Sequence, residues 1–113
     1  MKKYDIEAEK ILGKKRWAKE ELDRSIPKEQ SDKIWKAAHD RLEGYLEKYA
    51  DIPKGEHAHT DSRIFPMAAI YLSIKEATDE KFAFDFMERF FAYRCEGLAK
   101  TLARLMKVPG MKD

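Results

Sequence analysis

Charges are spread along almost the whole chain, and the longest stretch without one is residues 64 to 74, Ile-Phe-Pro-Met-Ala-Ala-Ile-Tyr-Leu-Ser-Ile. At the helical step of about 100° per residue, Ile64, Phe65, Ala68, Ala69 and Leu72 share one side, while Met67, Ile70 and Ile74 cover much of the other. A helix apolar nearly all round must be enclosed by other protein elements or by lipid. These eleven residues fall short of the roughly 20 that span a bilayer. The pattern therefore predicts a short helix buried at the centre of a protein core.

The flanking segments supply its surroundings. Residues 4 to 24 read as a first helix with Tyr4, Ala8, Ile11, Ala18 and Leu22 on one face and Ile6 and Trp17 on the opposite side. Gly13 interrupts it at a cost of about 1 kcal/mol relative to alanine. The segment is thus either two shorter pieces or one helix whose second apolar side meets a partner chain. Ser25-Ile26-Pro27 marks a boundary, because proline suits a first helical turn and disfavours the helical conformation in the residue before it. From about 28 to 50, Ile34, Trp35, Ala38, Leu42, Tyr45, Leu46 and Tyr49 form one stripe on an otherwise charged helix. Residues 51 to 61, with Pro53 and Gly55, form a loop.

Pro66 is tolerated only in an opening turn, so the central helix starts near 62 to 65. It ends near 76 to 77, where Thr78-Asp79 offers a new N-cap. A long last helix, about 79 to 107, carries Phe82, Phe86, Met87, Phe90, Phe91, Leu98, Leu102, Leu105 and Met106 before Val108-Pro109-Gly110 stops it. The short link makes these last helices antiparallel neighbours. The expectation is an all-α single domain over residues 1–113, an antiparallel bundle of four main helices around a central apolar one. Leu72, Ala69, Phe86, Phe90 and Leu98 are expected among its most buried residues.

Charge narrows the partners more than the fold. There are 23 basic and 21 acidic residues, interspersed at the i,i+4 spacing in Glu29 with Lys33, Asp32 with Lys36, Asp85 with Arg89 and Glu96 with Lys100. That describes a solvated helical surface, and only Lys14-Lys15-Arg16 approaches the basic stripe of a nucleic-acid binder, so no nucleic-acid partner is expected. The lone Cys95 excludes an internal disulfide, which fits a reducing cytoplasm. Acidic residues follow the first lysines with no apolar run, so neither a secretory signal nor a membrane partner is expected.

Candidate chemistry sits in the loop and the last helix. His57 and His59, flanked by Glu56 and Asp61, could aim both imidazoles at one metal ion, although such a site needs further ligands and solvated loop histidines are the simpler reading. No other cofactor is expected. Arg94 projects from the apolar face of the last helix and must find a carboxylate, reach water along its stem, or bind a substrate carboxylate. Arg63 is the second candidate for that last role. Cys95 reads as a small buried hydrophobe without an activating cation. His39, at the edge of its helix's apolar stripe, reads as a structural histidine.

The run from Arg63 to Glu76 (Arg-Ile-Phe-Pro-Met-Ala-Ala-Ile-Tyr-Leu-Ser-Ile-Lys-Glu), the acidic turn, the long helix and Lys107-Val-Pro-Gly resemble the helical N-terminal part of the L-2-amino-thiazoline-4-carboxylic acid hydrolase family. The resemblance implies an enzyme that opens the ring of a cyclic cysteine precursor with water, at a carbon–nitrogen bond, and that continues into a second, cysteine-containing part. It implies that this chain, lacking such a part, is a short homologue or the N-terminal part of a longer protein, and not active alone. The rival reading is a non-enzymatic helical interaction module. The two-sided first helix makes a homodimer the expected assembly, with a small-molecule carboxylate as the ligand if the hydrolase reading holds.

Overall fold

The computed structural model describes residues 4–49 and 65–91, which form α1 (Asp5–Gly13), α2 (Arg16–Ser25), α3 (Lys28–Tyr49), α4 (Phe65–Ala77) and α5 (Glu80–Phe90). No strand occurs among the described residues, and the fold there is all-α. Among them, no helix is long and apolar enough to cross a membrane.

The first predicted helix is two helices. Gly13 ends α1, and the last turn tightens through i,i+3 bonds in which Lys14 N–H donates to Ile11 O at 3.2 Å and Lys15 N–H to Leu12 O at 2.9 Å. Each piece then turns its own face inward: Ala8 and Leu12 are buried from α1, Ala18 and Leu22 from α2. Trp17, expected on an outer face, packs against Phe91 with ring centroids 4.9 Å apart. Ile6 is left as the large exposed hydrophobe among the described residues. One such side chain is ordinary on a monomer.

Ile26 is extended (φ −142°, ψ 166°), as the residue before Pro27 should be, and α3 begins directly after the proline. The α3 helix packs against α1, α2 and α4, and α4 packs against α3 and α5. On α3, Ser31, Ile34, Ala38, Leu42, Tyr45 and Leu46 are buried and Trp35 is half-buried. Every residue of α4 from Phe65 to Ile74 is buried. The enclosed centre predicted from its lack of charge is therefore present, while α3 is the element that touches the most neighbours. Tyr45 meets Phe65 at 5.6 Å between the two helices, and Arg41 Nη1 donates to Ser73 Oγ at 3.0 Å while its other nitrogen pairs with Glu76.

Thr78 Oγ1 donates back to Ile74 O at 2.6 Å, and the Asp79 carboxylate caps α5 by accepting from Phe82 N–H at 2.7 Å. Ala83, Phe86 and Met87 form the inner face of α5, and Phe90 is half-buried against Phe86 at 4.8 Å. Phe91 caps α5, and the expected continuation to residue 107, with Leu98, lies outside the described residues. Asp85 pairs with Lys81 at 3.3 Å, and Arg89 lies over the Phe90 ring at 5.3 Å, so the anticipated Asp85–Arg89 pair gives way to the preceding turn and an aromatic face.

Candidate functional site

The residues singled out from sequence for chemistry, His57, His59, Arg63 and Arg94, lie outside the described residues, as does Cys95. The described part brings together a different set. Lys28, Asp32, Trp35, Lys36, His39, Asp40 and Glu43 fall on one side of α3 at steps of three and four residues. Opposite them stand Asp5, Glu9, Leu12 and Gly13 of α1 with Arg16 and Lys19 of α2, and the helices enclose a groove of about 740 Å³. The turn at Lys14–Lys15 makes this groove, because it lets α1 and α2 approach α3 separately.

At one end of the groove Lys19 is buried. Its ammonium lies 2.6 Å from Asp23 Oδ1 and 2.9 Å from Asp32 Oδ1, and Ser31 Oγ donates to the same Asp23 oxygen at 2.7 Å. Burial would lower the Lys19 ammonium, but hydrogen bonds and charge from Asp23 and Asp32 outweigh it and hold the group above the ordinary lysine value. The hydrogen bond from Lys19 is also the main cause that keeps both aspartates below the usual carboxylate range. Lys28 flanks Asp32 at 3.6 Å. The expected Asp32–Lys36 pair does not form, since Asp32 is taken by these lysines and Lys36 pairs with Asp40 at 3.6 Å. This end is a neutralised structural tie between α2 and α3, and a charged lysine held by two carboxylates is a poor nucleophile.

The other end is not neutralised. His39 Nε2 lies 3.3 Å from both the carbonyl O and Oδ1 of Asp5, and its Nδ1 lies 3.0 Å from Glu43 Oε1 and 3.9 Å from Asp40 Oδ1. Both ring nitrogens thus face acceptors. The Glu43 side chain is only 7% exposed, and its Oε2 is buried with no hydrogen-bond partner. A buried carboxylate oxygen without a partner costs more than an ordinary unmade hydrogen bond, because the charge it shares has been taken out of water. An unpaired buried carboxylate oxygen beside a histidine marks this end as a candidate functional site.

Chemically, this end can move a proton to or from a bound molecule through His39, or hold a cation among Asp5, His39 and Glu43. One ligand atom from each of these three residues lies within 4.8 Å of the others. Sequence reasoning treated His39 as structural and Glu43 as part of a solvated face. The legible signal was their i,i+4 spacing, which puts an imidazole and a carboxylate side by side on one helix; Asp5, 34 residues from His39, is joined to them only by the packing of α1 on α3.

No family model, no curated protein and no solved structure matches this chain.

Proposed function

We propose that the groove between α1, α2 and α3 is a small-molecule site with hydrolytic chemistry, in which Asp5, His39 and Glu43 activate water. The observation that carries this is His39 held between two carboxylates at the groove wall, with Nε2 3.3 Å from Asp5 Oδ1 and Nδ1 3.0 Å from Glu43 Oε1. An imidazole fixed in this way can accept a proton from attacking water and return it to a leaving heteroatom. Leu12 and the half-buried Trp35 offer an apolar wall for a small ring. Arg16, which has no carboxylate partner among the described residues, is a cation for a substrate carboxylate within the same groove.

The resemblance to the thiazoline-carboxylate hydrolases supplies the substrate class. Water adds to the ring carbon between nitrogen and sulfur, the bond from that carbon to the ring nitrogen breaks as the carbon becomes a carbonyl, and the departing nitrogen takes up a proton. The sequence leads to the expectation of a chain inactive alone, with few water-activating groups outside the histidine loop and the last helix; the groove offers a further set, which supports activity. The short α4–α5 link likewise supports the antiparallel arrangement of those two helices.

The test is hydrolysis of 2-amino-thiazoline-4-carboxylate by the 113-residue chain, followed by NMR. Turnover that falls at least about a hundredfold in His39→Gln, within the range that general acid–base groups supply, supports the reading. No turnover at any pH from about 5 to 8 withdraws it and favours the non-enzymatic module.

A further inference from the structure

We infer that Asp5, His39 and Glu43 form a site for a divalent transition-metal ion with mixed nitrogen and oxygen ligands, such as Zn²⁺ or Mn²⁺. The inference begins with donors and acceptors. His39 Nε2 lies 3.3 Å from the Asp5 carbonyl and Nδ1 lies 3.0 Å from Glu43 Oε1, two groups that accept, so a neutral ring, with one N–H, satisfies one of them and turns a lone pair on the other. With the proton on Nε2, where the Asp5 carbonyl accepts it, the lone pair of Nδ1 points at Glu43 Oε1, 3.0 Å away, and two acceptors face each other. A doubly protonated ring would answer for both nitrogens. It would still leave Glu43 Oε2 buried and unpaired. A cation beside Nδ1 and the Glu43 carboxylate meets the lone pair and the orphaned oxygen together, with Nε2–H on the Asp5 backbone fixing the ring as a second-shell bond does at metal histidines.

The third ligand is the Asp5 carboxylate, which is about one-third exposed and lies on the Nε2 side of the ring. One ligand atom from each residue lies within 4.8 Å of the others, and because Asp5 Oδ1 stands nearest Nε2, at 3.3 Å, an ion on Nδ1 requires that carboxylate to move in before the ligands reach the roughly 3 to 3.5 Å that bonds near 2.1 Å would impose. A nitrogen beside two carboxylate oxygens suits Zn²⁺, Mn²⁺, Fe²⁺ or Co²⁺ better than Ca²⁺ or Mg²⁺, which prefer all-oxygen shells. Two carboxylates and a neutral imidazole balance the ion's charge. Three protein ligands leave positions open to the groove for water, the pattern of a catalytic rather than a structural site.

The inference uses the same residues as the hydrolytic reading, but with an ion on Nδ1 both ring nitrogens are engaged and the ion would take over from His39 the activation of water; its test does not use turnover. Calorimetry with Zn²⁺ and with Mn²⁺ on the full chain should show one site per chain. Affinity should drop by at least about 10-fold, the smallest loss expected even for a second-shell partner, in Glu43→Gln and in His39→Gln, and should stay unchanged in the double variant His57→Gln, His59→Gln. Mn²⁺ should broaden the His39 ring resonances of the unmodified protein, a readout that needs no variant to fold. No binding tighter than about 1 mM, binding indifferent to Glu43→Gln, loss of binding in the His57/His59 double variant, or equal preference for Ca²⁺ would each overturn the site. Metal binding without hydrolysis would sink only the proposed function, whereas hydrolysis undiminished in chelator would sink only the catalytic role of the ion.

Discussion

Lys19 reaches from α2 to Asp32 on α3 at 2.9 Å with only 5% of its side chain exposed, so a full positive charge is held almost entirely inside the protein. It is tolerated because Asp23, at 2.6 Å, is the second acceptor. The two carboxylates are correspondingly held below the ordinary aspartate range, chiefly by the Lys19 hydrogen bond.

This arrangement predicts a specific pH dependence. For Asp23 and Asp32 the folded-state values lie below the unfolded ones, so their contribution to stability is complete above the ordinary aspartate value of about 4 and is lost as pH falls through the lowered values. Lys19 is raised, so its contribution is complete below the ordinary lysine value of about 10.4 and is lost only as pH climbs past it. In Lys19→Met the carboxyl titrations of Asp23 and Asp32 should move up, and the acid limb of stability should flatten. Carboxyl NMR titration alongside urea melts at several pH values checks both. Unmoved carboxyls would mean that the lysine does not set them.

The central helix carries the second prediction. Leu72 is 4% exposed within α4, where every residue from Phe65 to Ile74 is buried. Leu72→Ala should cost about 2 to 5 kcal/mol in a two-state urea titration, through lost transfer energy plus the cavity left behind. A loss below about 1 kcal/mol would show that the site collapses freely and that α4 is not held as tightly as its burial implies.

Gly44 is a mid-helix glycine on the exposed side of α3, and a Cβ added there meets nothing within 4 Å. Alanine at this position removes backbone freedom from the unfolded chain and touches no neighbour in the folded one. Gly44→Ala should therefore raise stability by about 0.5 to 1 kcal/mol. A destabilised variant in thermal melts would mean that the helix is not regular at this point.

What the sequence made legible was local. Pro27 and Pro66 placed the starts of α3 and α4, and Thr78-Asp79 placed the cap of α5, because each signal acts within one turn of its own position. The charge-free run gave the enclosed α4 for the same reason. The split of the first helix was half visible in Gly13, yet the fate of Trp17 was not, since its partner Phe91 lies far along the chain. The candidate site failed to show for the same cause: His39 and Glu43 are a helical step apart, but Asp5 reaches them only through packing. Lys19 and Glu43 also look like surface charges in any periodicity, and only neighbouring helices reveal that they are buried.

Glu43 yields the sharpest trade between stability and function. Its Oε1 meets His39 Nδ1 at 3.0 Å while the buried Oε2 meets nothing, so the metal-free protein carries an unsatisfied charged group that methionine, of similar length, would replace with apolar contact. Removing a buried charge in favour of a well-packed hydrophobe is often neutral or stabilising. His39, 23% exposed, can turn to water for its lost partner. In chelator, Glu43→Met should melt at or above the temperature of the unmodified protein. With Zn²⁺ at 100 times its dissociation constant the unmodified protein should gain about 2.7 kcal/mol, because an ion that binds only the folded state stabilises it by mass action. The variant should gain nothing, and the order of the two melting temperatures should invert. Paired thermal melts with chelator and with Zn²⁺ decide it: a variant more than about 3 kcal/mol less stable in chelator, the penalty expected when one partner of a needed buried pair is removed, would make Glu43 a structural anchor of α3 instead of a ligand kept at the fold's expense.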